Sequence, residues 1–393
     1  MKKAVGFSLL CYTVLLLILG GCGTEPLLIE PTISPERVSP SEGVAVPTPT
    51  PPVIPLPTPA PTPAPAPTPT PEPGPEVVQI SINAVGDITW GGDSGTNGFI
   101  EFHHLYRQHG IDFFLYNTRE IFAEADLNIA NLEGTFTNRR ERREDATWAF
   151  SAPPHMAHGL VTGGIDAVTI ANNHIFDFNR QGYYDTRAAL RDAGMPYFGM
   201  EHNLIMEVNG VYVGLFGFLV YVSEWRVQAA INDLRERGAQ IVIAYFHWGI
   251  MGETRPLESQ RRLGRFTLDS GADLVLGSHP HNIQGVEVHN GRFIVYSLAD
   301  FSYAGHSSPA DMDSFIFQKT FTLIDGELQL TQDAHLLPLM QSSRRPPYIR
   351  QNFQPTPALG EDYTRIRERL QLYSSWLNND EGMAVISQIN QSR

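Results

Sequence analysis

Between Val77 and about residue 281 the chain repeats one pattern of apolar and polar positions. A short apolar run breaks off into small or polar residues, and a longer stretch with helical spacing follows. The apolar runs are VVQISINAV (77–85), LNIAN (127–131), AVTIA (167–171), VYVGLFGFLV (211–220), IVIAYF (241–246) and ADLVLG (272–277). Each reads as a strand, and IVIAYF as a buried one. Helices are predicted over 116–124, 154–162 (opened by a proline), 181–193, 224–237 and 258–270. Strands alternating with helices over this length predict an α/β architecture. No linker-like stretch interrupts it, so 77–393 reads as one compact domain, large enough for a two-lobed core. Asn209-Gly210, Asn290-Gly291 and Asp325-Gly326 are hairpin signals. The last two predict antiparallel additions, and a closing helix is predicted over 361–377.

Ahead of Val77 the pattern is different. The chain opens MKK, runs apolar from Ala4 to Leu19 and reaches GGCG. LGGC, residues 19–22, has the form of a bacterial lipoprotein signal, with Cys22 as the lipidated residue. A lone transmembrane anchor is the alternative, and both place the rest outside the cytoplasm, at the cell envelope. Residues 23–76 form a Pro-rich, disordered tether in which every second residue from Pro57 to Pro75 is proline. Such a run excludes helix and central strand and predicts an extended spacer of roughly 3.1 Å per residue. Docking motifs for recognition modules share this composition.

Composition narrows the chemistry. The two cysteines, Cys11 and Cys22, both lie in the export segment. The domain after the tether therefore has no disulfide, no cysteine ligand and no cysteine nucleophile. The net charge is −14 and Lys2, Lys3 and Lys319 are the only lysines. That balance argues against general nucleic-acid binding, which needs a basic field.

The predicted strands end in a shared kind of residue. The first delivers Asp87, the second Asn131 and Glu133, the third Asn172, Asn173 and His174. IVIAYF delivers His247, and ADLVLG delivers His279 and His281. Taken singly, each has a structural reading: a turn or cap for Asp87, a half-buried hydrogen-bonded ring for His247, a surface pair for His279 and His281. Together they matter because parallel strands in an α/β sheet open their C-terminal ends on one crevice. Carboxylates and imidazoles gathered there suit Zn, Mn or Fe, and a shared carboxylate suits two ions about 3.5–4 Å apart.

At these residues the sequence resembles the capsule-synthesis protein CapA family, also called poly-γ-glutamate synthesis proteins. The resemblance runs from about Ile80 to Tyr303 and rests on AVGDI (84–88), NLEG (131–134), ANNHIFDF (171–178), FHWG (246–249), and GSHPHNIQGVE through VYSLADF (277–301). That family is similar to calcineurin-like metallophosphatases. The resemblance implies a four-layer α/β/β/α sandwich. It implies metal ligands at Asp87, Glu133, Asn173, His247, His279 and His281, with Glu133 bridging. Asn173, His247 and His279 would share one ion, and Asp87 and His281 the other. His174 would stay off the metals and serve the reacting group. Thr89 stands where the phosphatases place a histidine, which leaves one ion short of a strong ligand. Ala299-Asp300 stands where the family commonly has Gly-Asn. Asp300 adds negative charge beside the site, assisting a metal and hindering anionic substrates.

These readings together describe a metal-dependent hydrolase of phosphoesters or γ-glutamyl amides. Its expected partners are the membrane, through the lipid anchor, and poly-γ-glutamate or its synthase complex. A non-catalytic polymer-binding or anchoring protein is the rival, and a general envelope protein a third reading. Asp177, three residues after His174, either orients His174 or caps the following helix. Arg139, Arg140, Arg142 and Arg143 form the one dense basic patch. It either grips a polyanion or is a solvated loop balanced by Glu141, Glu144 and Asp145.

Overall fold

The structure, a computed structural model, describes residues 74–219, 222–344 and 350–391. All fall within one unit, Pro71–Arg393. The export segment with Cys22, nearly all of the proline tether and the last residue of the 211–220 run lie outside the described residues.

In chain order the first strands are β1 (Val77–Thr89), β2 (Leu127–Leu132), β3 (Thr135–Phe136), β4 (Ser151–Ala152), β5 (Ala167–Thr169) and β6 (Tyr197–Phe198). Next come β7 (Leu204–Val208), β8 (Val211–Leu219), β9 (Ile241–His247), β10 (Leu274–Ser278), β11 (Val286–His289) and β12 (Arg292–Val295). The last are β13 (Asp300–Tyr303), β14 (Asp313–Ile324), β15 (Glu327–Gln329), β16 (Ala334–Met340) and β17 (Thr356–Pro357). The helices are α1 (Asn97–His109), α2 (Arg119–Ala123), α3 (His158–Thr162), α4 (Asn179–Asp192), α5 (Glu224–Glu236), α6 (Glu258–Asp269), α7 (Gly360–Ser375) and α8 (Asp380–Ile389).

Two sheets carry the fold. The first has the order β17-β16-β14-β1-β2-β5-β6, with β13 added beside β1 and β15 beside β14. The second has the order β11-β12-β10-β9-β8-β7. At the centre of each, neighbours run parallel: β1, β2, β5 and β6 in one, β8, β9, β10 and β12 in the other. Alternation along β9 shows how the layers form. Ile241, Ile243 and Tyr245 enter the core between the sheets, while Val242, Ala244 and Phe246 face the helices. The opposing sheet gives Ile80, Ile82 and Ala84 to that central core. Its outer face packs Val85, Ala130 and Val168 with residues of α1, α3 and α4, among them Phe102, Leu160 and Leu190. The second sheet's outer face packs on Val227, Ile231 and Leu234 of α5 and Leu268 of α6. The result is the four-layer α/β/β/α sandwich.

All three hairpin signals sit in tight turns with both central residues at positive φ: Asn209 50° and Gly210 81°, Asn290 48° and Gly291 76°, Asp325 51° and Gly326 81°. They join β7–β8, β11–β12 and β14–β15, all antiparallel. The predicted helices are present within a few residues, although the first two begin as 3-10 turns at Tyr116–Thr118 and Pro154–Ala157. Among the elements the pattern missed are α1, α8, β14 and β16. α7 and α8 do not extend an outer helical layer: Ile366, Leu370, Ile386 and Ile389 join the core between the sheets.

Candidate metal centre

The strand ends do meet. β1 changes neighbour midway, from β14 over Val77–Ala84 to β13 over Asp87–Thr89. The change depends on Gly86, where an added Cβ would lie 1.8 Å from the Ala299 carbonyl oxygen. That carbonyl accepts the Asp87 N–H at 3.0 Å. Asp87 is fully buried and its Oδ1 accepts the Asn131 amide at 2.7 Å. Asn172 donates to the Leu132 carbonyl (2.7 Å) and to Asn131 Oδ1 (3.2 Å). Asn131 and Asn172 thus brace the ends of β1 and β2.

Glu133, also fully buried, follows β2. Its Oε2 accepts the Thr89 hydroxyl at 3.0 Å, whereas Oε1 has no hydrogen-bond partner. A buried carboxylate oxygen without a donor is costly. Around it stand His247 Nε2 at 3.3 Å and His281 Nε2 at 4.0 Å. His247 ends β9, with Nδ1 beside Ser278 Oγ (3.0 Å) and Nε2 beside Asn173 Oδ1 (2.6 Å). His279 Nδ1 lies 3.1 Å from the same Nε2. His279 and His281 hold φ at 99° and 58°, left-handed values that non-glycine residues rarely adopt.

Two donor sets result: Glu133, His247 and His279, and Asp87, Glu133 and His281. Glu133 belongs to both. The set fits divalent cations on its own chemistry, because carboxylates and imidazoles converge there on an oxygen that no protein donor satisfies. The electrostatics agree. Burial and then the neighbouring His247 hold the His279 ring down to about 3, so its lone pair is free near neutral pH. Burial disfavours the Glu133 carboxylate, but His281 and His247 outweigh it and keep Glu133 well below the ordinary range. Burial and Glu133 push Asp87 up.

His174 lies beside this cluster and lines a cavity of about 1210 Å³ that opens on it. Its Nδ1 is 2.7 Å from Asp177 Oδ2, which also accepts the Phe150 N–H at 2.8 Å. Burial opposes a charged His174, but the Asp177 hydrogen bond and Glu133 raise its pKa above the usual value. Asp177 does not cap a helix: α4 begins at Asn179, its N-cap is Phe178, and no side chain caps it.

The basic patch does not converge on the cluster. Arg139 pairs with Asp185 (2.8 Å), Arg142 with both oxygens of Asp93 (3.0 and 3.2 Å), and Arg143 with Asp145 (2.5 Å). Arg140 is exposed. The expected balancing acids, Glu141 and Glu144, are not those partners; Asp93 and Asp185 are distant in sequence. Asp300 lies in the cluster, its Oδ1 2.7 Å from His281 Nδ1. Motif reading missed Thr89 as a Glu133 donor, and missed Phe150, whose ring lies 4.2 Å from that of His174. It also missed the far cavity wall from 305–313 and α7, which includes Arg365 and Arg369. No motif marks these residues.

The described helices include none long and apolar enough to cross a membrane. The capsule biosynthesis protein CapA of Bacillus anthracis is 24% identical over 254 residues, 57% of this chain and 60% of that protein. The PGA biosynthesis protein CapA of Bacillus subtilis is 26% identical over 248 residues, 57% and 63%. The chain thus spans less than two thirds of either relative. Among solved structures, Thermus thermophilus TT1561 covers 62% of this chain and 98% of its own at 12% identity and a TM-score of 0.38. The sulfate thiohydrolase SoxB of the same organism covers 79% and 60%, at 12% identity and a TM-score of 0.37. The profile of the bacterial capsule synthesis protein PGA_cap matches residues 81–304, which takes in every strand end that builds the cluster, and the chain belongs to that family.

Proposed function

We propose that the protein is a metal-dependent hydrolase of capsule or poly-γ-glutamate biosynthesis, export or processing. We place it outside the cytoplasm, held to the membrane by a lipid on Cys22 and spaced from it by the proline tether. The observation that carries the hydrolase reading is the unsatisfied Glu133 Oε1, set between two donor sets that share it. His247, His279 and Asn173 would hold one divalent ion, Mn, Zn or Fe, and Asp87 and His281 a second. Ions so placed supply Lewis acidity and a nucleophile active at neutral pH.

The chain's own residues supply the rest. Asp177 fixes His174 through Nδ1, leaving Nε2 to donate a proton to the leaving group. Phe150 packs on the His174 ring and Asp177 accepts the Phe150 N–H, so ring and carboxylate are held by one loop. The substrate bond is a phosphoester or a γ-glutamyl amide, and the partner is poly-γ-glutamate or its synthase. The test is hydrolysis of phosphodiesters and of poly-γ-glutamate by the purified domain loaded with Mn, Zn or Fe. Turnover that falls with His174→Ala supports the reading. No turnover on any of them, with full assembly activity retained by His174→Ala, replaces it with a polymer-binding or anchoring role.

A further inference from the structure

Asp300 has no role in the mechanism above, yet it is one of the most constrained carboxylates in the molecule. β13 runs parallel to β1 in the register Asp87↔Asp300, so two aspartates stand side by side on neighbouring strands. Both are buried. His281 stands over the pair, its Nδ1 2.7 Å from Asp300 Oδ1 and 3.8 Å from Asp87 Oδ2. Backbone strain fixes this meeting from both sides: Ala299, just before Asp300, has φ 60°, and His281 itself has φ 58°.

An imidazole has two nitrogens, and a carboxylate on one decides what the other can do. With Asp300 accepting from Nδ1–H, the lone pair of a neutral His281 sits on Nε2. Nε2 lies 4.0 Å from the unpartnered Glu133 Oε1. Donors that would share one ion, each about 2.0–2.2 Å from it, must lie within about twice that length of one another, and this pair does. Without Asp300, Nδ1, already 3.8 Å from Asp87 Oδ2, would be drawn to Asp87, and the ring would consume a ligand instead of providing one.

We propose that Asp300 is a positioning residue that makes His281 a metal ligand through Nε2 and so completes the Asp87–Glu133–His281 position. The inference rests on the two-ion reading above. It also gives the two positions different characters. One has two imidazoles with a carboxylate and an amide oxygen. The other has two carboxylates with one imidazole, backed by a third buried carboxylate, a harder set that suits Mn²⁺.

The test is Mn²⁺ binding to the chelator-stripped protein, followed by calorimetry and by the electron paramagnetic resonance signal of the bound ion. Asp300→Asn keeps the shape and loses the charge, and Asp300→Ala loses both. Circular dichroism and melting temperature serve as fold controls. Wild-type protein is expected to bind two ions. Asp300→Asn should weaken one of them about 10–100-fold, leave the other within about twofold, and change the resonance signal of the weakened site. Adding Asp300→Ala to His281→Ala should cost nothing further, because both act on one ligand. Two ions bound by Asp300→Asn and Asp300→Ala at wild-type affinity would overturn the inference and leave the two-ion reading standing. A full additional loss in the double variant would also overturn it. Wild-type protein that binds no Mn²⁺ would remove the two-ion reading itself.

Discussion

Asp126, Asp166 and Asp273 stand just before β2, β5 and β10, and Asp87 and Glu133 stand at the opposite ends of β1 and β2. At the first end the same device is used three times. Asp126 accepts the Ser81 N–H of β1 at 2.8 Å, Asp166 the Asn128 N–H of β2 at 2.8 Å, and Asp273 the Val242 N–H of β9 at 2.8 Å. Each carboxylate ties the start of its own strand to the parallel neighbour, and each gains a second donor: Ser81 Oγ, Asn128 Nδ2 or Arg235. At the other end Glu133 keeps an oxygen with no donor, and imidazole nitrogens approach within 3.1 Å of each other. Aspartate near a strand end is thus not itself a sign of chemistry. The sign is a carboxylate whose demand the fold leaves unmet.

The largest break in this comparison is Glu133→Gln. It removes the one group common to both donor sets. Bound metal, counted by elemental analysis, should fall from two per chain to less than one, and turnover by roughly 10³-fold or more. His174→Ala comes next: turnover should drop about 10²–10⁴-fold while metal content stays at the wild-type value. Loss of metal in that variant would make His174 a ligand and redraw the site.

A change at the other end should do the reverse. Asp273→Ala leaves the Val242 N–H without its acceptor and Arg235 without its 2.7 Å carboxylate. Asp273 is 6% exposed, so stability measured by urea unfolding should fall by about 2–3 kcal/mol, with metal content unchanged. A metal-poor Asp273→Ala protein would mean that the strand bases and the site are coupled.

How much of this was legible follows from range. β9 and β10 are short apolar runs that end in the very residues of the site, so local pattern found both the strand and its histidines. Turn chemistry found the hairpins because Asn-Gly and Asp-Gly specify a backbone on their own. β14 was hidden because Lys319 interrupts the apolar face of Phe315, Phe317, Phe321 and Leu323. α1 buries only Phe102 and Leu105 among its large apolar residues, too thin a stripe to read. The pairing of Arg142 with Asp93, 49 residues away, was beyond any local reading. So was Asp300 on His281, which needs β13 to arrive beside β1 through Gly86.

The smallest effect separates two of the tying aspartates by the sign of their titration. Asp126 is largely solvent-facing; burial works against its charge, but the Ser81 and Asn209 hydrogen bonds prevail and lower its pKa from 3.8. A folded value below the unfolded one means that the unfolded chain takes up the proton first. The stabilisation is therefore whole above the ordinary carboxylate value and is lost as pH falls through the folded value. Asp166 is more buried, and burial raises its pKa despite the Asn128 bonds. Folding therefore works against its charge relative to the unfolded chain, the reverse of Asp126. Asp126→Asn should thus cost about 0.5–1 kcal/mol at pH 7, and that cost should shrink as pH falls through the folded value. Asp166→Asn, whose amide oxygen can still accept the Asn128 N–H, should cost less than that at pH 7. Urea midpoints for the two variants at pH 7 and along an acid series decide it. A larger loss for Asp166→Asn at pH 7 would show that the charge, rather than the hydrogen bond, ties β5 to β2.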